Sequence, residues 1–235
     1  MLLSSRPDLN FIRVSGGVCL IGATVTVEQI RRSEILREIL PSLYEALVLI
    51  SSTPVRNRAT VGGNIINASP IGDLTIIFLA LGASAILSNG EERRTVTLED
   101  FFQSYKELDI REDEILESLS FQIPEHGSRF SFEKVAKRKY VDIASVNSAM
   151  LLQEEGGLVR CIRISAGGIA PIPMFLRRTC EYLTGRKVTR ETIKEASEIA
   201  SGEVSPISDV RGSAEYKTVL LKRLIYAHLL EEERV

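Results

Sequence analysis

Residues 58–73, RATVGGNIINASPIGD, set the tightest limit on what this chain can fold into. A run so rich in small and amide side chains buries little apolar surface itself, so apolar elements on either side must carry it. It stands between a stretch ending near Ile50 and the helical-looking Leu74 to Leu81. The adjacent glycines Gly62 and Gly63 let a backbone approach a ligand closely and present successive N–H groups, a way to grip phosphates and sugars without a charged side chain. Thr60, Asn64 and Ser69 supply further donors, and Asp73, just before a helix, accepts from ligand hydroxyls. The same glycines also read as a tight turn followed by an ordinary helix cap. Neither G-x-x-x-x-G-K-[ST] nor G-x-G-x-x-G occurs, which disfavours nucleotide binding by those routes.

Around this segment the pattern is α+β. FIRV and VCLIGA, broken by Ser15-Gly16-Gly17, predict a hairpin. Thr26 with Gln29 is a capping box opening a helix near Val27, and a second helix is expected from about Leu40 to Ile50, starting at Pro41. Ala83 to Ser88 reads as a strand that turns at Asn89-Gly90 and returns through Arg94 to Thr97, before the short helix LEDFF. A strand from Ile115 to Ile123 ends at Pro124, and PEHGS is the best interior linker signal. The expected domains are therefore 1–124 and 128–235. In the second, Phe130 to Ala136, Ser145 to Gln153 and Leu158 to Ser165 predict a three-stranded antiparallel sheet. Helices follow over Phe175 to Thr184, Thr189 to Ser201 and Ser213 to Glu232, the last with a packing stripe at Tyr216, Leu220, Leu224 and Ala227.

The 29 basic and 31 acidic residues leave a net charge of −2, which argues against nucleic acid as the main partner. Cys19, Cys161 and Cys180 have no C-x-x-C spacing, and neither His126 nor His228 has a metal-ligand pattern around it, so no metal site and no disulfide framework is expected. The longest apolar stretch, Leu74 to Leu87, is too short to span a bilayer, and MLLSSRPDLNF has no signal-peptide core. The expectation is a cytoplasmic protein without membrane contact.

TVGGNI at Thr60 to Ile65 followed by NASPIGDL at Asn67 to Leu74 resembles the FAD-binding (medium) subunit of the molybdenum hydroxylases, the xanthine dehydrogenase and aerobic carbon monoxide dehydrogenase family. IGATVT at Ile21 to Thr26, EIL at Glu114 to Leu116, DIASV at Asp142 to Val146, SAGGIAPIPM at Ser165 to Met174 and DVRGSAEYK at Asp209 to Lys217 extend the resemblance in the family's order over nearly the whole chain. It implies a flavin-binding domain and a small C-terminal domain. By position it implicates Thr60, Gly62, Gly63, Asn64, Ser69 and Asp73 in holding FAD, with Ser51 and Ala59 lining the same surface. Leu116 is placed near the isoalloxazine or adenine part. Lys134 matches a lysine approaching the flavin ring, where a cation favours the electron-rich reduced form. Read without the resemblance, Lys134 is a solvated strand lysine.

The basic run Lys137 to Lys139 with Tyr140 matches a loop beside the flavin, where an acceptor is met. Gly167-Gly168 with Pro171 and Pro173 reads as a strand-to-helix corner, and Asp209 with Arg211 as a structural ion pair ahead of the Ser213 cap. No catalytic residue is expected in this chain. The implied partners are a molybdopterin-binding large subunit, a [2Fe–2S] small subunit, and NAD or another acceptor. In relatives an A-G-G-T loop supplies the other half of the FAD pyrophosphate grip, and by position it falls ahead of Met1. The expectation is that the loop lies on a different polypeptide, that the chain is N-terminally shortened, or that this copy holds flavin poorly. Each missing charge-assisted hydrogen bond costs about 1.5–3 kcal/mol, so weak FAD binding by the chain alone is expected. The competing expectation is a cofactor-free structural or assembly subunit.

Overall fold

The computed structural model describes residues 6–138 and 141–230, so Lys139 and Tyr140 of the basic run lie outside the described residues. A hairpin opens the chain, β1 (Ile12–Ser15) and β2 (Val18–Gly22), turning at Gly16 and Gly17 with φ of 58° and 79°, where a side chain is disfavoured. The capping box at Thr26 and Gln29 starts α1 (Val27–Arg32). Next come α2 (Glu34–Ile39), capped by Ser33, and α3 (Leu43–Val48). The helix expected from Leu40 is therefore shorter, Pro41 lies in the turn before it, and α2 was not foreseen.

The glycine-bearing segment follows α4 (Thr53–Arg56) and holds a short helix, α5 (Val61–Ile66), before it leads into α6 (Asp73–Ala80). Then follow β3 (Ser84–Ser88), β4 (Arg93–Thr97), α7 (Leu98–Phe101), a small hairpin β5 (Phe102–Ser104) with β6 (Glu107–Leu108), and β7 (Ile115–Gln122). These strands form an antiparallel sheet in the order β1-β2-β7-β3-β4, with β5 and β6 apart.

After residue 128 come β8 (Arg129–Val135), β9 (Val146–Glu155), β10 (Leu158–Gly167) and β11 (Met174–Phe175). The second sheet has four strands, β11-β10-β9-β8, rather than the expected three. The corner at Gly167-Gly168 reverses the chain and pairs Met174 and Phe175 with Ala166 and Ser165, a two-residue ladder with no periodicity to announce it. α8 (Arg177–Leu183), α9 (Arg190–Glu203) and α10 (Ala214–Leu229) complete the fold.

Every residue of α6 from Leu74 to Ala80 is buried, as expected of a helix apolar all round that packs on both sides. It touches β9 and β10 as well as α5, and the first core continues through it to Phe130, Phe132 and Ala149 of the second sheet. A separate core joins β9 and β10 to α8, α9 and α10. In α10 the buried face is Lys217, Leu221, Leu224, Ile225, His228 and Leu229; of the expected stripe Leu224 is buried and Leu220 packs at the core's edge, while Tyr216 and Ala227 are exposed. Two buried polar residues disguised the face. Lys217 Nζ is held by Asp209 at 3.0 Å and the Ile207 carbonyl at 2.8 Å, so its stem packs inward at low cost. Asp209 and Arg211 pair at 3.6 Å, and Ser213 caps α10.

Candidate functional site

Thr60 has extended backbone and its Oγ1 accepts from the Gly63 amide at 3.1 Å, which nucleates α5 despite two glycines in its first turn. The Val61 amide donates to the Val25 carbonyl at 2.9 Å, Gly62 to Ala23 at 2.8 Å, and Asn64 to Thr60 at 3.0 Å. The successive N–H groups that the sequence suggested for a ligand are therefore engaged inside the protein. What Gly62 provides is closeness: a Cβ there would lie 2.9 Å from the Ala23 Cβ and 3.0 Å from its oxygen. The start of α5 is thus docked onto the chain after β2.

This docking forms one wall of a cavity of about 330 Å³ lined by Thr24, Thr60, Gly62, Gly63, Ile110 and Leu116 among others. Thr24 Oγ1 is buried without a hydrogen-bond partner among the described residues. Glu114 also lines the wall, where Arg94 at 2.7 and 2.8 Å and the Arg111 amide hold its carboxyl down to about 2. No cation lines this cavity, so it suits a ring or a sugar better than a phosphate.

From Gly63 the structure passes to a second group of residues. Asn64 Oδ1 accepts from the Thr75 amide at 3.2 Å and its hydroxyl at 2.9 Å, tying α5 to α6. Ser69 makes a turn, its oxygens accepting from the Ile71 and Gly72 amides, which delivers Asp73 to the first turn of α6. Asp73 Oδ2 lies 2.6 Å from Lys134 Nζ on β8, and Oδ1 accepts from Asn147 Nδ2 on β9 at 2.5 Å. Burial pushes the Asp73 carboxyl above the ordinary carboxylate range, while Lys134 and Asn147 pull against it. Lys134 also donates to the Leu49 carbonyl at 3.2 Å. The two residues line a second cavity of about 290 Å³ with Val135, Ala136, Arg138 and Asp142.

The Leu49 loop has its own anchor, invisible in the sequence. Arg56 is buried and donates to the Ile50 carbonyl at 3.0 Å, the Ser51 carbonyl at 2.9 Å, Thr53 Oγ1 at 2.9 Å and Glu28 Oε2 at 2.9 Å. Ser51 takes φ of 51°, unusual for a residue with a Cβ, and Arg56 holds it there. Glu28 also pairs with Arg31 and Arg32, and these guanidinium groups lower its carboxyl to about 2. The i+3 and i+4 spacing from Glu28 was readable as a helix-face cluster, but Arg56, 28 residues away, was not.

The expected residues thus separate. Thr60, Gly62, Gly63 and Leu116 share the first cavity, Lys134 lies in the second, and Asn64, Ser69 and Asp73 connect them. Ser51 and Ala59 line neither; both backbone groups of Ala59 are bonded, to Val55 and Val27. A larger cavity of about 570 Å³, running from Asn10 to Asn57, holds none of the ten. Among the described residues no His, Cys, Asp and Glu group is arranged to hold a metal. His228 is buried and its pKa falls to about 3, and burial raises the thiols of Cys19 and Cys180 to about 11 and about 12. None of the three is an acid, base or nucleophile at neutral pH. No helix among the described residues is long and apolar enough to cross a membrane.

Residues 3–126 match the family model of the FAD binding domain in molybdopterin dehydrogenase, and residues 131–232 match that of the CO dehydrogenase flavoprotein C-terminal domain. The carbon monoxide dehydrogenase medium chain of Hydrogenophaga pseudoflava is 31% identical over 219 residues, covering 93% of this chain and 76% of that one. The glyceraldehyde dehydrogenase medium chain of Sulfolobus acidocaldarius is 28% identical over 217 residues, covering 92% and 76%. A solved structure of carbon monoxide dehydrogenase from H. pseudoflava superposes with a TM-score of 0.91 at 30% identity, covering 95% of this chain and 77% of that one.

Proposed function

The chain belongs to the FAD-binding medium-subunit family of the molybdenum hydroxylases, and we propose that it seats FAD along the Thr60–Asp73 segment as an electron-transfer subunit. The observation that carries this is the continuity of the site: one cavity faced by Thr60, Gly62, Gly63 and Leu116, and a second edged by Lys134, joined through Asn64 and Asp73. The residues fit the group. The Thr24 hydroxyl, without a partner among the described residues, and the apolar first cavity suit a flat ring, and Lys134 keeps one N–H that no described residue accepts.

When bound, FAD supplies one- and two-electron redox chemistry. This chain's own residues place and shield it: Gly62 lets α5 close up on Ala23, Leu116 and Ile110 exclude water, and Lys134 offers a donor. We further propose that partner subunits carrying molybdopterin and [2Fe–2S] clusters deliver electrons and that NAD or another acceptor removes them; the name medium chain in the relatives supports further subunits. The substrate belongs to the molybdenum partner, since relatives named for carbon monoxide and for glyceraldehyde match about equally. We divide the chain into domains 1–124 and 128–235 and place it in the cytoplasm, a compartment that suits three unpaired thiols.

One observation favours the second reading, a cofactor-free structural or assembly subunit: the amides at Val61, Gly62 and Gly63 are already engaged. Titrating the purified chain with FAD separates the two. The proposed function predicts bound flavin absorbance that saturates near one FAD per chain, with the A-G-G-T segment supplied where the chain alone binds weakly; a chain that retains no flavin even with that segment supplied is the assembly subunit.

A further inference from the structure

Asn147 is fully buried in the middle of the second sheet, yet its Oδ1 has no hydrogen-bond partner among the described residues. Such an orphan costs stability, so the residue type calls for a reason. The amide nitrogen provides one. It donates to Asp73 Oδ1 at 2.5 Å and to the Ile71 carbonyl at 3.2 Å. Both neighbours only accept, so turning the amide over would set its oxygen against a carboxylate. Gly167 leaves room for the orphaned oxygen, since a Cβ there would lie 2.3 Å from it. The sheet thus tolerates an unsatisfied acceptor in order to hold one side of Asp73.

The other side of Asp73 holds Lys134. With one N–H on Asp73 and another on Leu49, the ammonium has a single donor left, at the edge of the second cavity. We propose that Asn147 is a positioning residue: by fixing Asp73 it fixes the Lys134 ammonium, so that the remaining N–H meets an acceptor atom of the bound flavin. This rests on the FAD reading for its ligand but not for its geometry. Because Asp73 neutralises the ammonium, Lys134 acts as an oriented donor rather than as the net cation that the resemblance implied.

Two measurements on the full chain test it, with Asn147→Ala compared against Ser148→Ala, a neighbouring buried residue whose hydroxyl donates to Ser165 instead. First, acetic anhydride labelling of the ligand-free chain is followed by peptide mass spectrometry. Asn147→Ala is expected to speed acetylation of Lys134 by about fivefold or more, the factor for roughly 1 kcal/mol, with no change at the buried Lys217. Second, FAD affinity is expected to fall by a similar factor in Asn147→Ala and to stay within about twofold in Ser148→Ala. Unchanged Lys134 labelling in Asn147→Ala, or equal acceleration at Lys217, overturns the proposal while leaving FAD binding by the wild type intact. Selective acceleration at Lys134 in a chain that binds no FAD upholds the positioning and overturns the FAD reading instead.

Discussion

Around Gly62 the backbone does the holding, with amides of α5 donated to the chain after β2 and no charge nearby on the cavity wall except a carboxylate already paired with Arg94. At Asp73, ten residues further along, the holding is done by charged and amide side chains drawn from α6, β8 and β9. The first region joins backbone groups of Val61 and Gly62 to Val25 and Ala23, 36 and 39 positions away, and tolerates change poorly only where atoms touch. The second brings together residues 61 and 74 positions apart, and removing one partner there strands a buried charge. A binding surface can therefore be precise in two ways, by close packing or by a satisfied ion pair, and the two fail differently.

The largest expected effect is at the ion pair. Asp73→Ala leaves Lys134, whose side chain is 6% exposed, without its counter-ion, and should cost about 3–5 kcal/mol in urea unfolding. A loss under about 1 kcal/mol would mean that the seam is not held by charge.

The Glu28 cluster, which anchors the Leu49 loop through Arg56, sharpens the same side of the comparison. Its carboxyl is lowered to about 2 in the folded chain, so its stabilisation is present above the unfolded value of 4.5 and is lost as pH falls towards about 2. The stability difference between wild type and Glu28→Gln should be roughly 3 kcal/mol near neutral pH and shrink through that window. A pH-independent difference would detach Glu28 from the loop's stability.

On the packed side, Gly62→Ala should cost about 1–3 kcal/mol, since the new methyl meets Ala23 at 2.9 Å. Smallest is Gly63→Ala, whose Cβ meets only Thr60 Oγ1, at 3.0 Å; a helix-propensity gain of about 0.5–1 kcal/mol offsets it, so thermal unfolding should barely move. Equal costs at the two glycines would break the distinction between close packing and simple turn chemistry.

What the sequence made legible divides by separation along the chain rather than by backbone or side chain. The hairpin at Ser15-Gly16-Gly17, the capping box at Thr26 and the strands either side of Asn89-Gly90 rest on interactions within a few residues, and the fold has them. Helix α5 was hidden because two glycines lower local propensity, and tertiary docking on Ala23 overrides it. The face of α10 was legible only at Leu220 and Leu224, because the buried Lys217 and His228 belong to no apolar stripe. Asn147 and Arg56 were missed altogether, as nothing in either neighbourhood signals partners on distant elements. The resemblance located Lys134 and Asp73, but only the structure brings them within 2.6 Å of each other.

A crystal structure of the chain grown with FAD is the most direct test of the central claim. Flavin nucleotide density is expected against Thr60, Gly62, Gly63 and Leu116, with the Lys134 ammonium in contact with it and still bonded to Asp73. Density in the Asn10 to Asn57 cavity instead, or a Lys134 turned away from the ligand, would contradict it.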